Sequence, residues 1–153
     1  MKFIKLLLVF LVINFSALGL GIWLMGDGPT SDWYTSLQQA PWTPANWVFG
    51  AAWTAVMLCF SMYMTLLYLK EPSTKIVRLF IIQFLLNVVW NFVFFNQQHV
   101  ALGMLVITAL TLIITAFLVT YFELMKFKNL LLLPYVVWIC IATSLNLYIL
   151  IYN

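Results

Sequence analysis

The chain has 153 residues, 65% of them hydrophobic and only 7% charged, with seven Lys/Arg against four Asp/Glu. Soluble domains carry roughly 25% charged residues and disordered chains combine low hydrophobicity with high charge, so a mean hydropathy of +1.07 excludes both classes. The net charge of +3 does not signal nucleic-acid binding, because the few basic residues sit at the ends of apolar runs, where they set orientation in a bilayer.

Five apolar runs follow one another, at 3–25, 46–69, 76–95, 100–122 and 130–152. Each is of the length that a bilayer-crossing helix needs, about 20 residues. The ~10-residue alternating segments of a membrane β-barrel are absent. The expected fold is an all-α membrane protein, a five-transmembrane-helix bundle, with 1–153 as a single transmembrane domain. The first run, broken only by Lys5, has a second reading as a signal peptide with Ala17-Leu18-Gly19 as its cleavage site. Its length exceeds the 7–15 apolar residues of such a segment and favours a span.

Between the first two runs lies the one long connection, Gly26 to Ala45, carrying Trp33-Tyr34 and Pro41-Trp42-Thr43-Pro44. Its prolines resist helix. A loop of this length without regular structure acts as a lid or, on its tryptophans, as a segment anchored at the membrane interface. The second run places Phe49, Trp53, Met57 and Ser61 at spacings of four. The third places Gln83, Asn87, Asn91, Phe94 and Gln98 at four, four, three and four, which predicts one helix face. Amides avoid lipid, so that face points inward, either to hydrogen-bond between helices or to form the floor of a pocket. The fifth run carries Pro134, which starts or kinks its helix, and then Trp138, Ala142 and Asn146 at spacings of four. Trp53 and Trp138 lie too deep for interfacial belt residues. Ala142 leaves room beside the Trp138 indole for a flat guest or for close helix packing. Ala17/Gly21 and Ala51/Ala55 are further small-residue pairs.

All the Lys and Arg fall on one side of a five-span chain: Lys2 and Lys5, then Lys70, Lys75 and Arg78, then Lys126 and Lys128. Asp27, Asp32 and His99 fall on the other. The positive-inside rule predicts a cytoplasmic N-terminus and an external C-terminus. No Asp, Glu, Lys, Arg or His sits mid-span, which argues against a proton relay or a charged-substrate path. With a single His, and with Cys59 and Cys140 isolated in apolar runs, no metal site, structural disulfide or nucleophile–base pair is expected. Phosphate-binding loops and dinucleotide glycine motifs are missing.

Three strings resemble a known family. Trp33-Tyr34, Leu37, Pro41-Trp42-Thr43-Pro44, Phe49 and Trp53 are similar to its first loop and second helix. Gln83, Asn87 and Trp90 are similar to its third helix, and Leu133-Pro134-Tyr135, Trp138, Ala142-Thr143 and Leu145-Asn146 to its fifth. The family is TspO, the translocator or peripheral-benzodiazepine-receptor family. The resemblance implies a homodimeric five-helix bundle in a bacterial plasma membrane, with a pocket beneath the first loop. It also implies porphyrin or haem as ligand, no required cofactor, and binding of isoquinoline- or benzodiazepine-type drugs and of lipids. Carried over by position, the ligand-binding residues are Tyr34, Pro44, Phe49, Trp53, Asn87, Phe94, Gln98, Trp138, Ala142 and Leu145. The function implied is a tetrapyrrole receptor or transporter. The alternatives are a light-dependent porphyrin-degrading enzyme, for which Trp53 and Trp138 would be catalytic, and a ligand-free accessory subunit. Two departures stand out. The loop reads Pro-Trp-x-Pro where the family often has Pro-x-Trp-x-Pro, with Ala45 in place of a proline. No basic residue follows Tyr148, so the sterol-contact pattern is broken and weak sterol binding is expected.

Overall fold

In the computed structural model, which describes residues 1–153, the apolar runs are helical and no strand forms. The helices in chain order are α1 (Lys2–Leu24), α2 (Asp32–Ser36), α3 (Asn46–Lys70), α4 (Thr74–Asn91), α5 (Val100–Thr120), α6 (Phe122–Met125) and α7 (Leu133–Tyr152). Five segments, built on α1, α3, α4, α5 and α7, are long and apolar enough to cross a membrane. The protein is an all-α integral membrane bundle.

Local sequence explains most helix ends. Past the end of α1, Gly26 turns the chain at φ +63°, a conformation that costs glycine nothing. Ser73 caps α4, its hydroxyl accepting from the Ile76 N–H at 3.4 Å. Pro134 falls in the first turn of α7, where a missing N–H is harmless, so it starts that helix and does not kink it. Two spans are shorter than their apolar length implies. Tyr121 leaves helical geometry (φ −106°, ψ 14°) and ends α5 at Thr120. Residues Lys126–Leu132 then wind as a 3-10 turn before α7 begins. Asn129 fastens that turn by donating to the Phe122 and Lys126 carbonyls, each at 2.9 Å.

The third span departs further. After Asn91 it widens into a π turn, Phe92–Asn96, and Val93, Phe94 and Phe95 are all buried. A regular α-helix spreads three successive residues over about 200° of arc, too wide for one buried face. The expected five-residue stripe therefore breaks at its last step. Gln83, Asn87, Asn91 and Phe94 share the inner face, but Gln98 lies beyond the turn at φ +56° and is exposed.

The helices close into a ring in which α1 packs on α3 and α4, α7 on α3, and α5 between α7 and α4. Lipid tails are as apolar as the helices, so contact shape and internal hydrogen bonds hold such a ring together. At Gly21 a Cβ would come within 2.8 Å of Asn91 Nδ2, so a larger residue there would push the Asn91 amide aside. Asn14 donates to Ser61 Oγ at 2.8 Å across the α1–α3 seam, and both side chains are sealed from solvent.

The end of the bundle that carries the Lys and Arg is solid on its axis. Phe60, Tyr63, Met64, Ile76, Phe117 and Tyr135 have no exposure there, and Phe60 meets Phe117 and Tyr135 edge-on at 5.7 and 5.3 Å. The opposite end is roofed by the long connection. That segment is not structureless, for it holds a 3-10 turn at Gly28–Thr30 and α2. Ser31 caps α2 by accepting from the Tyr34 N–H at 3.2 Å, and the Tyr34 side chain is buried beneath it. The roof is tied to α7 at two points. The Gln38 N–H donates to Asn153 Oδ1 at 2.9 Å, and Asn153 Nδ2 returns a bond to the Gln38 carbonyl at 3.3 Å. Trp42 Nε1 donates to Ser144 Oγ at 3.1 Å, and its ring meets Tyr148 edge-on at 5.5 Å.

Candidate functional site

Beneath the roof lie two adjoining spaces of unequal size. The larger, about 360 Å³, opens between α1, α3 and α4. Leu18, Ile22 and Met25 of α1 form one wall, and Phe49, Gly50 and Trp53 of α3 form the opposite one. Asn87, Trp90 and Asn91 of α4 close the back, with Asp27, Pro29 and Thr30 of the connection above. The smaller space, between Tyr34, Phe94, Ala142, Leu145, Asn146 and Ile149, is closed to about 10 Å³. Phe49, Trp90 and Phe95 line both. Those aromatic rings are the partition between the two spaces.

The sequence-predicted residues divide accordingly. Phe49, Trp53 and Asn87 line the open cavity, and Tyr34, Phe49, Phe94, Ala142 and Leu145 line the closed one. Trp138 lines neither. It stands behind the partition, edge-on to Phe49 at 5.4 Å and to Trp53 at 6.4 Å. Pro44 is half-buried in the roof and faces neither space. Gln98 lies outside altogether, for the reason given by the π turn.

The amides serve both roles that the sequence left open. Gln83 and Asn87 donate to the Tyr135 hydroxyl at 2.7 and 2.9 Å, so they bind α4 to α7. Asn87 and Asn91 also present edges to the open cavity. Asn91 donates to the Asn87 carbonyl at 3.0 Å. Gln83 Oε1 has no partner in this arrangement. Half a turn of that amide would let Tyr135 donate to it, since a phenol both gives and accepts. Trp90 Nε1 donates to Asn146 Oδ1 at 3.2 Å, and its ring stacks on Phe94 at 5.4 Å. By contrast the Trp138 indole N–H is buried and unpartnered, a condition that costs about 1–3 kcal/mol and that an acceptor on a guest would relieve.

Tyr34 fills the roof from below, against Phe95 at 5.3 Å and Phe94 at 6.3 Å. Burial pushes its phenol above the ordinary tyrosine range, so it stays neutral under physiological conditions. The Trp33 ring lies edge-on to Phe94 at 5.7 Å, whereas Trp42 and Trp47 are largely exposed. The connection is thus both a roof over the cavities and an aromatic interfacial segment. No group of His, Cys, Asp and Glu stands close enough to hold a metal ion.

Sequence reading missed the wall supplied by α1 and the double role of Phe95 and Trp90. Asn14 was findable, being an amide alone in an apolar run and so in need of a partner. The partition was not, because it depends on rings from α3 and α4 meeting across the bundle.

Comparison with known proteins adds to this geometry. Residues 8–152 match the model of the TspO/MBR family. The chain is 30% identical to the tryptophan-rich sensory protein of Cereibacter sphaeroides over 75% of its own length and 73% of the relative's. It is 32% identical to the tryptophan-rich protein TspO of Archaeoglobus fulgidus, over 79% and 80% of the two chains. The human translocator protein is 24% identical over 74% of this chain and 70% of its own.

Proposed function

Since the chain belongs to the TspO/MBR family, we propose that it binds a flat tetrapyrrole, a porphyrin or haem, in the roofed half of the bundle. The single observation that carries this reading is the three-ring partition. Phe49, Trp90 and Phe95 divide an open cavity from a closed one, and turning those rings aside would join the two into one slot. Planar apolar guests suit an aromatic slot with a few amides, and each ring contact adds about 0.5–1.5 kcal/mol beyond burial. Asn87 and Asn91 would serve polar atoms of the guest, and the unpartnered Trp138 N–H would join them once the Phe49 ring turns aside. The same pocket chemistry suits isoquinoline- and benzodiazepine-type drugs. The reading includes a homodimer in a bacterial plasma membrane, N-terminus inside.

A spectral titration of the purified protein with protoporphyrin and with haem tests it. Saturation at one ligand per chain, weakened by Trp53→Ala at matched thermal stability, is the expected result. The absence of saturable binding would leave an accessory membrane subunit as the better reading.

A second reading, porphyrin breakdown in light, rests on the Trp53–Trp138 pair, whose rings lie 6.4 Å apart, near enough to pass a radical between them. Excited porphyrin and dioxygen would supply the oxidant. Product mass after illumination, against dark controls and Trp53→Phe, separates it from binding alone.

A further inference from the structure

Outside the roofed half, a third space lies on the lipid-facing side of the bundle. It is a groove of about 460 Å³ between α1, α3 and α4 at the basic end, and its lining is hydrophobic throughout. Val9 and Ile13 form one bank, Val77 and Ile81 the other, and Met64 the floor. Phe10 and Phe80 meet edge-on at 5.1 Å across it, joining the banks at depth while Val9 and Ile81 stay about half exposed. A void here would strip the lining of its dispersion contacts. In a bilayer the groove therefore holds something apolar, and its volume is near that of one extended fatty-acyl chain.

The charges at its mouth choose among lipids. Lys2 stands on the same α1 stripe as Val9 and Ile13, and Lys5 is one turn before Val9. Arg78 stands between Val77 and Ile81 on α4. All three are exposed, and neither helix has an acidic residue in its first turn. Two other basic residues of this end, Lys70 and Lys75, are engaged elsewhere. Lys70 donates to the Leu124 carbonyl at 2.6 Å, and Lys75 lies 5.9 Å over the Tyr121 ring, so both turn toward α5 and α6. Glu71, the C-cap of α3, follows groove-lining Tyr68 by one turn and is the single acid at this end of the three helices, against the three cations. The groove thus opens under a cationic mouth with no acid on either of its banks.

We propose that this groove holds one acyl chain of an anionic phospholipid, with the headgroup phosphate among Lys2, Lys5 and Arg78. The site is separate from the roofed cavities and independent of what those cavities bind. Each basic residue near a membrane surface favours an anionic lipid by roughly fivefold.

The test offers the purified full chain equimolar phosphatidylglycerol and phosphatidylcholine with identical acyl chains, and counts the lipids retained per protomer by native mass spectrometry. The expected result is one firmly held lipid, phosphatidylglycerol over phosphatidylcholine by at least about tenfold. The triple variant Lys2→Ala/Lys5→Ala/Arg78→Ala should bring the two lipids near equality. The control triple Lys75→Ala/Lys126→Ala/Lys128→Ala removes as much charge from the same end and should leave the preference intact. Ile13→Phe, which narrows the groove without touching a charge, should release either lipid while tetrapyrrole binding persists. Equal retention of the two lipids by the parent protein, or an equal loss of preference in both triples, overturns the proposal. So does a dimer that Ile13→Phe dissociates, since the groove would then be covered by a second copy of the chain.

Discussion

Phe60 and Phe49 are both phenylalanines of α3, but one is sealed at the solid end while the other stands half-buried between two spaces. Around Phe60 the rings interlock edge to face and leave no room. Around Phe49 the neighbours are an open cavity, a closed gap and amides with bonds to spare. In a bilayer, packing contact is a main source of helix association, so the solid end is where this bundle keeps most of its stability. Unpartnered buried polar atoms occur at both ends, on Tyr121 and Asn129 at the solid one and on Trp138 toward the roofed one, but the cavity walled by aromatic rings and amides belongs to the roofed end.

Ligand affinity should separate the two ends most widely. Ala142 lines the closed gap with 5% exposure, and Leu at this position would fill the space that a guest needs. Overpacking costs about 1–3 kcal/mol. Borne by the bound state alone, that lowers porphyrin affinity roughly 5- to 150-fold. Unchanged affinity in Ala142→Leu would place the pocket wholly on the α1 side of the partition.

Stability should divide the other way. Phe→Ala in a water-soluble core costs about 3–5 kcal/mol, of which the cavity is one part. Transfer to lipid removes most of the remainder, leaving about 2 kcal/mol for Phe60→Ala. Phe49→Ala should cost under half of that, because the space beside it already exists. Equal losses in reversible unfolding from mixed micelles would erase the contrast between the ends.

Tyr135 sits where the two regimes meet. Tyr135→Phe takes the shared partner from Gln83 and Asn87 and leaves buried amides unsatisfied, at about 1–3 kcal/mol. Measured beside Gln83→Leu in a double-mutant cycle, it should show strong coupling. Additive losses would show that the α4–α7 amide link contributes nothing. Trp138→Phe has the smallest expected effect. Loss of the unpartnered N–H gains about 1 kcal/mol and the smaller ring leaves a cavity of comparable cost. The stability of the empty protein should therefore stay within about 1 kcal/mol of the parent, while guests that offer an acceptor bind more weakly.

Much of the fold was legible in the sequence. Span number and amide placement follow from run length and from the cost of polar groups in lipid, both local properties of the chain. The stripe from Gln83 to Phe94 was legible for the same reason. Gln98 was misplaced because a periodicity argument assumes a constant pitch, and the pitch changes at Phe92. The lid reading of the Gly26–Ala45 connection was half right. Its aromatics do roof the cavities, but α2 forms there because Ser31 caps it, a signal that a prolines-and-length argument passes over. The partition could not be read, since Phe49 and Trp90 are brought together by tertiary packing alone.

The π turn also bears on how this chain tolerates change in length. Its backbone bonds reach one residue further than those of the α-helix before it, as where the Gln97 N–H meets the Phe92 carbonyl at 2.9 Å. Such a turn is a helix holding one surplus residue. Deleting one residue between Phe92 and Asn96 would therefore leave α4 continuous and shorten nothing else, whereas the same deletion at Leu86 would rotate the helix beyond it by about 100°. Single-residue gaps among relatives should gather at this turn, and the inward crowd of aromatic rings is what a deletion there would thin.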